Sequence, residues 1–126
     1  MADAGMPNEV EGQVTTTDMV TQTILQIPIT DNASNMIRLA TIARESSTGD
    51  LSRGWAHVAL IDKTDGGTPS LVGSLVQLFT LGQLGSATWA VSLTFDAGNA
   101  YVQVTGAIGQ TINWFSRITE IYVCET

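Results

Sequence analysis

Along most of this chain, apolar and polar residues alternate with a period of two. The most regular stretch is residues 88–95, where Trp89, Val91, Leu93 and Phe95 fall on one side and Thr88, Ala90, Ser92 and Thr94 on the other. Successive side chains of a strand point to opposite faces, so this run predicts a half-buried β-strand. Strands are also predicted over residues 20–27, ended by Pro28 and the turn-forming Asp31-Asn32-Ala33-Ser34, and over 36–44 and 53–62. In 36–44, Ile37, Leu39, Thr41 and Ala43 oppose Arg38, Ala40, Ile42 and Arg44; in 53–62, Trp55, His57, Ala59 and Ile61 oppose Ala56, Val58 and Leu60. A polar loop, residues 45–50, separates the two runs, and Asp65-Gly66-Gly67 predicts a tight hairpin connection after the second. Residues 71–81 are apolar and broken by glycine, which predicts two short strands with a bulge at Gly73 or Ser74.

The last third carries the strongest signal. Residues 99–105 and 111–123, rich in β-branched and aromatic residues, flank the connection Gly106-Ala107-Ile108-Gly109-Gln110. Glycine supplies the positive φ of a tight reversal, so residues 99–123 are expected to form a β-hairpin with Trp114 as its largest apolar group. Beyond Trp114 the period slips: Phe115, Ile121 and Val123 fall opposite Trp114 and Ile118. Either a bulge near Thr119 resets the register or both faces are covered. The expectation adopted is the second, by subunit contact.

Seven or eight short strands, with turn signals about every ten residues and no 3.6-residue period, predict an all-β antiparallel β-sandwich, jelly-roll-like. Residues 1–14 lack periodicity and are expected to form an extended N-terminal arm before a β-sandwich domain over 15–126. A chain of 126 residues suits one domain. No apolar run reaches the ~18–20 residues of a membrane span, and residues 1–7 have neither the basic region nor the apolar core of a secretory signal. A single cysteine, Cys124, excludes an internal disulfide, as suits folding in the cytoplasm of the producing cell.

Charge changes the picture more than any other number. Charged residues make up 13% of the chain, about half of the ~25% usual in soluble domains, while the hydrophobic fraction is an ordinary 44%. Thr, Ser, Gln, Asn and Gly fill the difference, giving a neutral surface suited to cover by partners. With a net charge of −7 and five dispersed basic residues, no nucleic-acid partner is expected, since phosphate binding needs clustered Lys and Arg.

Candidate chemistry is thin. His57 is the only histidine, so any catalytic triad or dyad must use it; a strand histidine between Trp55 and Ala59 is expected to be packed, not catalytic. With one His and one Cys, no zinc site is expected. The loop Asp62-Lys63-Thr64-Asp65-Gly66-Gly67 resembles a calcium loop but lacks its alternating acids and distal glutamate, so a plain hairpin is expected. Trp55, Trp89, Trp114, Tyr101 and Tyr122 could form a sugar platform, although core packing explains the tryptophans better. The expectation is therefore no enzyme, no metal and no cofactor.

The run Val104-Thr105-Gly106, followed by Gly109-Gln110-Thr111-Ile112-Asn113-Trp114, resembles a V-T-G-x-x-G-x-T-I-N-W segment that closes a small β domain in virion proteins of tailed bacteriophages. Other matching pieces occur in order: Thr15-Thr16-Thr17-Asp18, Ala43-Arg44, Thr48-Gly49-Asp50, Gly66-Gly67-Thr68, Leu71-Val72-Gly73 and Trp89. The resemblance covers about residues 13–123 and brings no catalytic motif. It implies a phage virion structural protein: a capsid decoration (cement) protein on the outer surface of the head first, and a head-fibre or tail-appendage domain binding a host glycan second. The expected partners are the major capsid protein and further copies of the chain, a trimer favoured and a dimer possible, with no membrane. Self-association is expected through Thr88, Ala90, Ser92, Thr94, Phe115 and Ile121, and capsid contact through Met6, Pro7, Val10 and Val14.

Overall fold

The computed structural model describes residues 11–46 and 49–125. Most of them lie in nine strands: β1 (Glu11–Thr16), β2 (Gln22–Pro28), β3 (Ala33–Glu45), β4 (Ser52–Lys63), β5 (Ser70–Leu71), β6 (Val76–Gly82), β7 (Ala90–Phe95), β8 (Asn99–Thr105) and β9 (Ile112–Glu125). A 3₁₀ turn, Leu84–Ser86, lies between β6 and β7. The larger sheet runs β1-β9-β3-β4, with β5 and β6 both paired to β4; the smaller runs β2-β8-β7. Every pairing is antiparallel. This is the expected all-β sandwich, with its strands divided six and three where a jelly roll has four and four.

The alternation explains the core. Ile37, Leu39, Thr41 and Ala43 of β3, and Trp55, His57, Ala59 and Ile61 of β4, all point inward. They meet Leu25 and Ile27 of β2 and Ala100, Val102 and Val104 of β8 across the sandwich. Burying each large side chain contributes about 1.5–3 kcal/mol. Three tryptophans meet near the middle. Trp55 and Trp114 stack with ring centroids 5.6 Å apart, and Trp89 packs on Trp114 at 6.1 Å and 56°. Their polar atoms are answered: Trp114 Nε1 donates to Thr16 Oγ1 at 2.9 Å, and Trp89 Nε1 to Gln110 Oε1 at 2.8 Å.

Three expectations change. The run over residues 99–123 is not a hairpin: β8 pairs with β2 and β7 while β9 pairs with β1 and β3. Gly109, at φ 76, turns the chain, but the turn carries it from one sheet to the other. Consecutive strands do pair as hairpins at β3–β4, at β4–β5 through the expected Asp65-Gly66-Gly67 connection, and at β7–β8. Second, the period slip in β9 is a bulge. Leu39 pairs with Ile118 and Arg38 with Glu120, leaving Thr119 as the extra residue. That single residue returns Ile121 and Val123 to the inner face, Val123 fully buried and Ile121 packed against the core. Third, residues 11–14 of the expected arm belong to β1, where Val14 pairs with Trp114.

β1 also closes one side of the sandwich by approaching β2. At Gly12 a Cβ would sit 2.1 Å from the Ile24 carbonyl oxygen, so only glycine allows the two backbones this close.

Candidate interaction surface

The outward side of the larger sheet is the least ordinary surface of the molecule. Strand pairing sets its side chains in rows across β9, β3, β4 and β6. One row is Phe115, Ile42, Gly54 and Leu81, and the next is Arg117, Ala40, Ala56 and Phe79. A third holds Glu120, Arg38, Val58 and Val76, and the last holds Tyr122, Met36 and Leu60. Leu81 is 69% exposed, Ile42 61% and Phe79 53%, whereas the inward positions of β3 and most of those of β4 are almost fully buried. Contiguous apolar area beyond a few hundred Å² is uncommon on a monomer and marks an interaction site.

Gly54 makes a dent in this surface. With no side chain between Ile42 and Leu81, a groove of about 570 Å³ opens there, its ends reaching Arg44 and Gln83. A Cβ at Gly54 would meet only ordinary contacts, 3.6 Å from the Ile42 methyl, so the dent comes from the missing side chain and not from crowding.

The charges on this side nearly balance. Arg38, Arg44 and Arg117 share it with Glu11, Asp62 and Glu120, and Asp50 reaches it from the loop beside Arg44. Arg38 pairs with Glu120 at 3.0 Å, Arg117 with Glu11 at 3.5 Å and Arg44 with Asp50 at 3.4 Å. The hydroxyl of Tyr122 donates to Glu120, which with Arg38 holds that carboxyl below its ordinary pKa; Tyr122 is raised in turn. All of these groups remain wet, so each pair is worth little on its own.

The expected contact residues scatter. Ala90, Ser92 and Thr94 point outward from β7, an edge strand of the smaller sheet, and Thr88, just before it, is exposed as well. Phe115 lies on the outer side of the larger sheet, beside Ile42. Ile121 does not join it, because the bulge at Thr119 turns it inward. Met6, Pro7 and Val10 lie outside the described residues, and Val14 is half-buried against the core. Sequence reading had in hand the outward residues of β3 and β4 that build the apolar rows, yet did not join them. Their signal was apolar residues on what should have been the wet side of an alternating strand.

The chemical candidates lie elsewhere. His57 is buried between Leu39 and Gln77 on neighbouring strands; its Nδ1 has no hydrogen-bond partner, and burial pulls its pKa below the ordinary imidazole value. Cys124 is exposed and free near the end of β9. The three tryptophans are buried in the core, which removes them as a sugar platform. The hydroxyl of Tyr101 donates to Asp96, lowering that carboxyl together with the Gly98 N–H. At the opposite end of β4, the ammonium of Lys63 pairs with Asp31, whose carboxyl also accepts from the Gly66 N–H and is held below its ordinary value, chiefly by Lys63. This is how the Asp62–Gly67 loop is fastened. Among the described residues no three of His, Cys, Asp or Glu gather as a metal centre would need.

No known protein family matches the sequence, and no curated protein does. Among solved structures, the chain is similar to the tailspike protein of Acinetobacter phage vB_ApiP_P1, at 12% identity and a TM-score of 0.50, over 98% of this chain and 24% of that one. It also aligns with the tailspike protein of Acinetobacter baumannii phage AM24, at 9% identity and a TM-score of 0.42, over 90% of this chain and 28% of that one. The chain thus spans about a quarter of the length of either tailspike. At such identity the likeness is one of fold.

Proposed function

We propose that this chain is a structural protein of a bacteriophage virion and that its place is in a tail appendage. The observation that carries this reading is the sandwich it shares, over 98% of its length, with part of a phage tailspike. Two features of the molecule support a building-block role. The chain is poor in charge, and one sheet face carries open apolar rows. A protein of this kind works by occupying surface, and the reading gives no residue a catalytic task. It uses no cofactor and no nucleic acid.

Decoration of the head is the second reading. The breadth of the apolar face, four strands wide, suits a subunit laid against a shell of capsid protein. Here the major capsid protein would be the partner, and the virion's outer surface the location.

Electron microscopy of phage particles labelled with an antibody to this chain tests both. Label at the tail supports the first reading, and label spread over the head supports the second. Particles that carry none of the chain overturn the virion assignment.

A further inference from the structure

We propose that the outward side of the larger sheet is the surface through which copies of this chain associate, with the dent at Gly54 receiving an apolar side chain of the adjoining copy. The inference stands apart from where the protein sits in a virion, because it concerns only what the chain does with itself.

Three observations identify a second copy as the occupant. The first is area. Ile42, Phe79 and Leu81 are each more than half exposed, and Met36, Leu60, Val76 and Tyr122 continue the apolar surface across four strands, the extent that marks an interaction site on a folded protein. The second is charge. The chain carries −7 overall, so two copies repel one another over most of their surfaces. This side is the exception: each of its three arginines meets a carboxylate, Glu120, Glu11 or Asp50, Asp62 is the one acid left over, and three of the molecule's five basic residues are here. An acidic partner of another kind would be better received by an excess of positive charge, which the face does not have. A nearly neutral face on an acidic molecule is where like copies can meet. The third is relief. The same surface holds a hollow, at Gly54 between Ile42 and Leu81, and prominent rings at Phe79 and Tyr122. A face with both can be complementary to itself, and an aromatic ring filling a dry pocket is the usual form of a strong contact.

The outer side of β7 is a poorer candidate. It is small and neutral, one edge strand wide, and it offers no large apolar group.

Sedimentation velocity of the purified full chain across micromolar concentrations tests the proposal. The native protein should associate. Phe79→Glu with Leu81→Glu should weaken association by roughly a hundredfold or more, since each introduced carboxylate would be buried without a partner. Ser92→Glu with Thr94→Glu on β7 should leave it unchanged. Both residues of the first pair are exposed and outside the core, so its circular dichroism and melting should match the native protein. If that pair fails to fold, Ile42→Glu on the central strand β3 gives the same reading. A native chain that stays monomeric throughout overturns the proposal. So does dissociation by the β7 pair with none from Phe79→Glu and Leu81→Glu or from Ile42→Glu.

Discussion

Trp55 of β4 and Trp114 of β9 stack 5.6 Å apart and within 15° of parallel, although β3 runs between their strands in the sheet. Both indoles project inward over β3, where only Ala43 and Thr41 stand beneath them in the pairing. Small residues on the central strand leave the room that two large rings on its neighbours fill. Trp114→Ala should therefore cost about 3–5 kcal/mol in denaturant unfolding, from the lost burial and the cavity left against Trp55 and Trp89. A loss under 1 kcal/mol would mean that the indole is not the centre of the core.

Thr16 offers a finer test of the same centre. Its buried hydroxyl accepts from the Trp114 indole N–H at 2.9 Å. Thr16→Val keeps the shape and removes the acceptor, so the indole N–H is stranded at a cost of about 1–3 kcal/mol. The double variant with Trp114→Phe should cost less than the two single changes added together, because the stranded donor is then gone as well.

Gly12 allows β1 to touch β2. A methyl group there would collide with the Ile24 carbonyl oxygen, and a backbone atom cannot swing aside as a side-chain end can. Gly12→Ala should lower the melting temperature and pull β1 from the edge of β9. A variant that melts with the native protein would show that the two backbones can part without cost.

His57 sets the acid side of stability. Its native pKa is depressed by burial, so the unfolded chain binds a proton more readily. Stability from this group is complete above the unfolded value of ~6.5 and falls as pH drops below it, by up to about 1.4 kcal/mol per pH unit. Asp31, Asp96 and Glu120 are shifted down as well, but their contributions persist above the ordinary carboxylate range and fade only in stronger acid. Urea midpoints measured between pH 7.5 and 5 should decline for the native protein and stay nearly level for His57→Gln. Parallel curves would assign the decline to other groups.

Thr119 is the one residue of β9 that the ladder does not use. Removing it joins Ile118, pointing in, directly to Glu120, pointing out, and leaves Ile121 pointing in. Deleting Thr119 should thus preserve every inward residue of β9 and change stability little. A deletion that unfolds the protein would mean that the bulge carries a twist the sheet requires.

The sandwich, and the inward side of nearly every strand, were legible in the sequence because period-two alternation is a local property. The pairing of residues 99–123 was not. Two strand-like runs around a glycine turn look the same whether the second run returns to the first or crosses to the facing sheet, and here β9 pairs along the much longer β3, with β1 on its other edge. The slip at Thr119 was visible as a break in the period, but cover by a partner and a bulge leave the same trace in one dimension. The apolar rows were hidden for another reason. Ala40 and Ile42 came into view between Arg38 and Arg44, and only the register sets them beside Ala56, Gly54, Phe79 and Leu81. Low charge pointed toward a covered surface without saying which side.

The strand β6 sends no side chain into the interior; all seven of its residues are exposed and it is held by its ladder to β4. Nothing in the molecule's own centre therefore guards its amide protons. In dilute solution they should trade for deuterium far sooner than those of β3, and they should slow when the adjoining face is occupied. The strand is a built-in gauge of assembly, readable by mass from one peptide, in a test tube or on a particle.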